Sequence, residues 1–301
     1  MGFLIGIDGG GTKTLLRAAD ANLQPLGEVR GGASNLTALP PETVLENLRG
    51  LLDDFFSRYP LQREDCDVLV LGSAGAGSPD ARSTLEGFLR QLMPDTALLV
   101  TDDALPVLYA GTGDGVGMML ISGTGSICLG RDRAGNRFRS GGWGHLIGDE
   151  GSGYAIGRDS LTAVMEAFDG RGPETLLTDL IFRQLSLREP MELIDWTYRR
   201  GNGKSEIAAL SRLCEQAVLA GDPAAEAIFD RAAAQLARMT AAVAARLPAE
   251  NRICVCSGGN LVKSPLLRQR LAALQPGIRL VLSERDAADG CLLMAKERMA
   301  H

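Results

Sequence analysis

A hydrophobic run, a turn of glycines and hydroxyls, and a second hydrophobic run occur twice in this chain. The first copy is Phe3-Leu4-Ile5-Gly6-Ile7-Asp8-Gly9-Gly10-Gly11-Thr12-Lys13-Thr14, continuing into Leu15 to Ala19. The second is Gly117-Met118-Met119-Leu120-Ile121-Ser122-Gly123-Thr124-Gly125-Ser126-Ile127-Cys128-Leu129. Gly11, Thr12 and Asp20 recur as Gly123, Thr124 and Asp132, in each case 112 residues later. Apolar runs this short on either side of a glycine turn read as β-hairpins. A repeat of this length means two related domains rather than a solenoid of short units.

Glycines let backbone approach a ligand closely, and a turn rich in N–H groups is an anion cradle. Two better-known nucleotide loops do not fit. A dinucleotide fingerprint needs a third glycine where Thr14 stands, and in a P-loop a glycine precedes the lysine, where this chain has Thr12. The hairpins predict a polyphosphate gripped from both sides. The alternative is a pair of hairpin turns that are merely rich in glycine.

Composition excludes several classes. The chain has 301 residues, 45% hydrophobic and 23% charged, with a net charge of −6. Two soluble domains are the natural division. An acidic chain with no basic run is not expected to bind nucleic acid or an acidic membrane surface. No apolar stretch approaches the ~20 residues of a membrane span. Met1 leads directly into the first strand, so neither a signal peptide nor an N-terminal DNA-binding domain is expected. Six scattered cysteines without a CxxC pair read as buried thiols in a reducing cytoplasm.

The first half reads as strands near 3–8, 14–20 and 26–31, a helix from Pro41 to about Tyr59, a strand at 67–71, a helix at 79–92 and a strand at 97–101. Asp102-Asp103 then opens a helix. The glycine-rich segment 72–77 is backbone near a ligand or a flexible turn. The second half opens with the hairpin near 116–132 and a strand near 137–140. Residues 151–247 are almost wholly helical, broken at 170–173, 189–190, 201–203 and 221–223. Strands at 252–256 and 279–282 and a last helix at 285–299 follow, with Ser264 capping a helix begun by Pro265. Three strands followed by alternating helices and strands, in both halves, imply mixed sheets covered by helices, with ligands beyond the strand ends.

Several residues suit phosphoryl transfer, which asks mainly for positioning and charge neutralisation. Gly10, Gly11, Thr12, Gly123, Thr124, Gly125 and Ser126 suit a phosphate cradle, and Lys13 reaches a phosphate or an exposed salt bridge. Asp8 is placed for Mg2+, through water, or caps its turn. Asp102 and Asp103 compete for the roles of helix cap and base. Seven glycines between 141 and 157 surround Trp143, His145, Asp149 and Glu150. That mixture suits a sugar, with carboxylates for hydroxyls and a flat ring beside the pyranose. Asp149 and Ser152 also read as helix caps.

These motifs resemble those of the sugar kinase, heat-shock ATPase and actin superfamily, and within it the N-acetylglucosamine kinase branch. Residues 8–12 and 121–126 look like its two phosphate motifs, and Gly141 to Ser152 like its sugar loop. Gly258, Gly259 and Asn260 resemble its adenosine motif. The resemblance implies an actin-like α/β fold of two ribonuclease H-like domains around a nucleotide cleft. They span 1–112 and 113–284, with a C-terminal helix, 285–301, packing back on the first. It implies ATP and Mg2+ as cofactors, Asp103 as base, and Asn35, Asp103, Gly142, Trp143, Gly144 and Asp149 as sugar contacts. It also implies a cytoplasmic homodimer that phosphorylates the 6-hydroxyl of N-acetylglucosamine or glucosamine. An activator ATPase of 2-hydroxyacyl-CoA dehydratases and a non-catalytic sugar sensor are the competing readings.

The repeat makes one expectation independent of the fold. Thr124→Val removes a hydroxyl from the second turn and should weaken nucleotide binding about tenfold, a typical side-chain hydrogen bond to a charged group, with the fold intact. Calorimetric titration with ATP measures this, and an unchanged affinity removes the turn from the site.

Overall fold

In the computed structural model, residues 2–198 and 202–300 are described; residue 201, within one expected helix break, lies outside them. The chain forms two compact units, Met1–Val116 with Ser283–His301, and Gly117–Leu282.

The first unit holds β1 (Phe3–Gly9), β2 (Thr14–Ala19), β3 (Pro25–Gly31), α1 (Pro41–Arg58), β4 (Cys66–Ser73), α2 (Pro79–Leu92), β5 (Ala97–Asp102), α3 (Ala104–Thr112) and, at its far end in sequence, α12 (Ala287–Met299). Its sheet has the order β3-β2-β1-β4-β5, antiparallel on the β3 side and parallel from β1 to β5. The second unit holds β6 (Gly117–Ser122), β7 (Ser126–Arg131), β8 (Arg137–Gly141), α4 (Gly153–Phe168), α5 (Leu177–Leu185), α6 (Glu192–Tyr198), α7 (Lys204–Ala209), α8 (Ser211–Leu219), α9 (Pro223–Ala244), β9 (Ile253–Ser257), α10 (Gly259–Lys263), α11 (Pro265–Leu274) and β10 (Arg279–Val281). Its sheet order, β8-β7-β6-β9-β10, repeats that of the first.

The repeat extends to single residues. The second and third strands start at Thr14 and Pro25 in one unit and at Ser126 and Arg137 in the other, keeping the 112-residue offset. Asp20 accepts the Gln24 amide at 2.8 Å, and Asp132 accepts the Asn136 amide at 2.8 Å. Each carboxylate closes the turn after the hairpin in the same way. That turn needs a left-handed residue, which is Gly135 (φ +85°) in one copy and Leu23 (φ +66°) in the other.

Strand alternation sorts the first core. Phe3, Ile5 and Ile7 pack with α1 residues Val44, Leu48 and Leu52. Leu4, Val68 and Val70 pack on the other face with Cys291, Leu292 and Ala295 of α12. Gly6 and Asp8 lie on that second face by period two. Glycine there is a matter of space: a Cβ on Gly6 would stand 2.5 Å from the Ala288 carbonyl oxygen. One on Gly72 would stand 2.5 Å from Pro106, and one on Gly290 only 1.8 Å from the Pro106 carbonyl oxygen. In segment 72–77, Gly72 and Ser73 end β4 and 74–77 form a turn, anchored by Ala74 N–H to Gly9 O and Ser73 Oγ to Ser34 O.

The expected turn at 257–260 is in part helix, since α10 begins at Gly259. The long helical stretch has one break beyond those anticipated, at Leu210 between α7 and α8. Among the described residues no helix is long and apolar enough to cross a membrane.

The Gly290 contact has a sign opposite to helix propensity. Gly→Ala within a free helix stabilises by roughly 1 kcal/mol. Gly290→Ala should instead destabilise by about 1–3 kcal/mol through overpacking, seen as a lower midpoint in urea unfolding. A stabilised variant would show that α12 can withdraw from α3.

Candidate active site

In the first unit the site grows from strand ends. Asp8 ends the apolar part of β1, and Asp102 ends β5. Asp102 Oδ1 accepts the amides of Ala104 at 3.2 Å and Leu105 at 3.1 Å, so it supplies the cap of α3. Asp103 occupies the N-cap position by backbone but makes no capping bond. The competition between the neighbours is settled locally, with Asp102 as cap and Asp103 projecting to solvent.

Asp8 makes no side-chain hydrogen bond among the described residues, so it does not cap its turn. Burial pushes its carboxyl above the usual aspartate range, helped by the charges of Asp286 and Asp103 and opposed by Lys13. Asp103 is raised by the water that surrounding protein displaces and then by Asp102, while its own backbone N–H opposes the shift. Lys13 is exposed. A divalent cation fits this chemistry, since it would relieve two carboxylates whose ionised forms are penalised. Mg2+ needs only one or two protein carboxylates beside phosphate oxygens and water. Among the described residues there is no group of three metal-ligating side chains, which a tighter site would need.

The first turn, Gly10–Lys13, is closed by Gly10 N–H to Lys13 O at 3.0 Å. Behind it Ser34 N–H donates to Gly10 O, and Thr14 Oγ1 donates to Ser34 Oγ at 3.0 Å. This carries Asn35 to the turn, its Nδ2 lying 3.8 Å from where a Gly11 Cβ would be. Asn35 Oδ1 accepts from Thr37 N and Oγ1, which fixes the amide with its NH2 group on the side of the Gly11 turn.

In the second unit, Gly123–Gly125 is closed by Gly123 N–H to Gly125 O at 2.9 Å. The start of α4 locks onto it, Gly153 N–H donating to Gly123 O at 2.8 Å, and Ser152 caps α4. Gly258 (φ +83°) abuts Ser122, and Asn260 Nδ2 points at Ser122 Oγ and Gly123 O. A cavity of about 270 Å3 begins at Gly123 and Thr124 and runs between Ile156, Phe229, Asn260 and Leu267. The turn and the 258–260 motif therefore share one cavity.

Asp149 is 4% exposed and left-handed (φ +61°). Its Oδ1 accepts the Ser126 amide at 3.1 Å, and its Oδ2 takes the Lys204 ammonium at 2.6 Å. It caps no helix. Lys204 is the site residue that sequence reasoning missed. It stands 55 positions from Asp149 in a helical stretch with no motif, and only the fold joins them. The 141–148 loop is held differently. Arg139 Nε and Nη2 donate to Gly141 O and Gly142 O, and its guanidinium lies 4.4 Å over the Trp143 ring. Gly141, Gly142 and Gly144 all have positive φ. Trp143 is 61% exposed, and His145 meets Tyr154 edge-on.

The raised carboxyls predict a pH effect. A raised native pKa means the folded state holds the proton more tightly than the unfolded chain, whose aspartates titrate near 3.8. Stability therefore falls as pH rises from there through the native pKa, and the full penalty persists at neutral pH. Asp8→Asn should raise the melting temperature at pH 7.5 in Mg2+-free buffer, Asp103→Asn should do so less because solvent screens the exposed carboxylate, and both gains should vanish below the unfolded aspartate value of 3.8. Variants no more stable than wild type would show that these charges are already compensated.

The chain matches the BadF/BadG/BcrA/BcrD ATPase family over residues 5–295. It is 34% identical to the N-acetylmuramic acid/N-acetylglucosamine kinase of Clostridium acetobutylicum, covering 98% of this chain and 99% of that one. It is 32% identical to the N-acetyl-D-glucosamine kinase of Dictyostelium discoideum, covering 97% of each. Among solved structures, a candidate N-acetylglucosamine kinase from Chromobacterium violaceum aligns with a TM-score of 0.71 at 26% identity, over 98% of this chain and 99% of that one. With two matching five-stranded sheets and two glycine turns at strand ends, the chain belongs to the BadF/BadG/BcrA/BcrD ATPase family.

Proposed function

We propose that the protein is an ATP-dependent amino-sugar kinase, transferring the γ-phosphoryl group of ATP to the 6-hydroxyl of N-acetylglucosamine or glucosamine. The observation that carries this is the division of labour at the end of β5. Asp102 caps α3, which leaves the Asp103 carboxylate unspent beside Asp8. The names of the relatives supply the substrate class. Asp103 is the base: it accepts a hydrogen bond from the attacking hydroxyl, orients it, and takes its proton as the new O–P bond forms. In a loose phosphoryl-transfer transition state this orientation matters more than early deprotonation.

The turns 10–13 and 123–126 hold phosphate oxygens by backbone N–H and the Thr12, Thr124 and Ser126 hydroxyls, with Lys13 at the rim. Residues 258–260 and the cavity beside them take the nucleoside. Asn35, with Gly142, Trp143 and Gly144, takes the sugar. Asp149, whose oxygens are engaged, reaches the sugar by sharing its lone pairs. Asp8 would hold Mg2+ through water, and the ion would supply charge neutralisation on the phosphates. The family resemblance supports a homodimer in a reducing cytoplasm, which six free, buried cysteines suit.

An ATP-consumption screen over hexoses and amino sugars tests the reading. Turnover should be largest with N-acetylglucosamine or a close relative. Asp103→Asn should cut it at least about 100-fold with sugar binding kept, and Asp102→Asn should have the smaller effect. No sugar-dependent turnover, with iron absorbance in the purified protein, would favour the activator ATPase instead.

A further inference from the structure

The Asp149 carboxylate lies directly under the second glycine turn. A Cβ built on Gly125 would stand 2.9 and 3.0 Å from its two oxygens. A buried negative charge in that position opposes any anion the turn is to hold. The same Cβ would stand 3.0 Å from Lys204 Nζ, so the ammonium is part of the wall of the turn as well. Glycine at 125 is the residue that leaves room for this pair.

We infer that Lys204 is a phosphate-binding residue of the Gly123–Gly125 turn, its ammonium bridging Asp149 and a phosphate oxygen of the nucleotide. This rests on the nucleotide reading above and adds a ligand to it. An ammonium has three donors. Here one goes to Asp149 Oδ2, and no other acceptor among the described residues takes the remaining two. The side chain is about a third exposed, and it starts α7, which lies along α4 beside the turn. It can tilt toward a ligand without leaving its partner. Asp149, buried and tied to the Ser126 amide, cannot follow it. Asp149 thus aims the lysine, and the lysine cancels the charge that would repel the phosphate. Sequence spacing carries no trace of the pairing.

Calorimetry with Mg-ATP distinguishes this from simple charge balance. Lys204→Met should weaken ATP binding about 10- to 100-fold, the range of a lost charge-assisted hydrogen bond, while Lys204→Arg should stay within a few-fold of wild type. The deciding background is Asp149→Asn, which removes the buried charge and tolerates the left-handed backbone. Lys204→Met introduced there should cost about tenfold again, because the phosphate contact is still lost. If Asp149→Asn with Lys204→Met binds ATP as well as Asp149→Asn alone, the lysine serves only to neutralise Asp149 and the inference falls. Because the double variant leaves no unpaired charge, it remains testable should Lys204→Met unfold. Wild type that binds ATP with unchanged affinity in Lys204→Met sinks the lysine alone. Wild type that binds no ATP sinks the nucleotide reading with it.

Discussion

The first unit depends on the close approach of its C-terminal helix to its N-terminal sheet. Gly6 on β1, Gly72 on β4 and Gly290 on α12 are each filled to contact by neighbouring backbone or proline, so at these three points β1 meets α12, β4 meets α3 and α12 meets α3 with no side chain from the glycine between. Cys291 Sγ donates to Ile7 O at 3.2 Å at the centre of this contact. At its edge Arg17 of β2 binds Glu28 of β3 and both Asp286 and Asp289 at the start of α12. Partly buried and fork-shaped, the arginine can hold three carboxylates where a lysine would present one point charge. Residues 17 and 289 are far apart in sequence, and this ion cluster fixes where α12 begins. That position brings the Asp286 charge to Asp8 and Pro106 of α3 under Gly72.

The two sheets are copies, yet their turns are supported differently. In the first unit the turn is backed by the end of β4 and the loop after β3, through Ser73, Ser34 and Asn35. In the second it is backed by the start of α4 and by the Asp149–Lys204 pair. The closing aspartates, Asp20 and Asp132, have kept the same bond in both. What the copies share is therefore the strand frame and its second turn. What differs is the support around each glycine turn, where a duplicated domain can change without disturbing its sheet.

The legible part of the sequence was local. Short apolar runs gave strands because the central strands are buried on both faces, and glycine and proline pairs gave the helix breaks. Ser264 and Ser152 acted as caps because the first free N–H groups of a helix need an acceptor. Asp102 and Asp103 were not separable from sequence, since either carboxylate can reach those amides. The choice follows from where β5 ends. Asp149 read as a sugar contact or a cap. Its engagement by Ser126 and Lys204 depends on a left-handed backbone and a partner in another helix, and neither leaves a periodic signal. Asp289, without a role by sequence, became half of the α12 clamp because Arg17 comes to it across the sheet.

The carboxylates of the first unit divide by what compensates them. Glu28, Asp286 and Asp289 share one arginine, and Arg17 draws the Glu28 carboxyl below its usual range. Among the described residues neither Asp8 nor Asp103 has an arginine partner, and both carboxyls are pushed the other way, Asp8 by lost solvation and the charges of Asp286 and Asp103, Asp103 by lost solvation and the charge of Asp102. A fold selected for stability alone would extend a second arginine to them or replace them with amides. Instead the two carboxylates keep that cost. The second unit arranges the reverse: its buried Asp149 is compensated from within by Lys204.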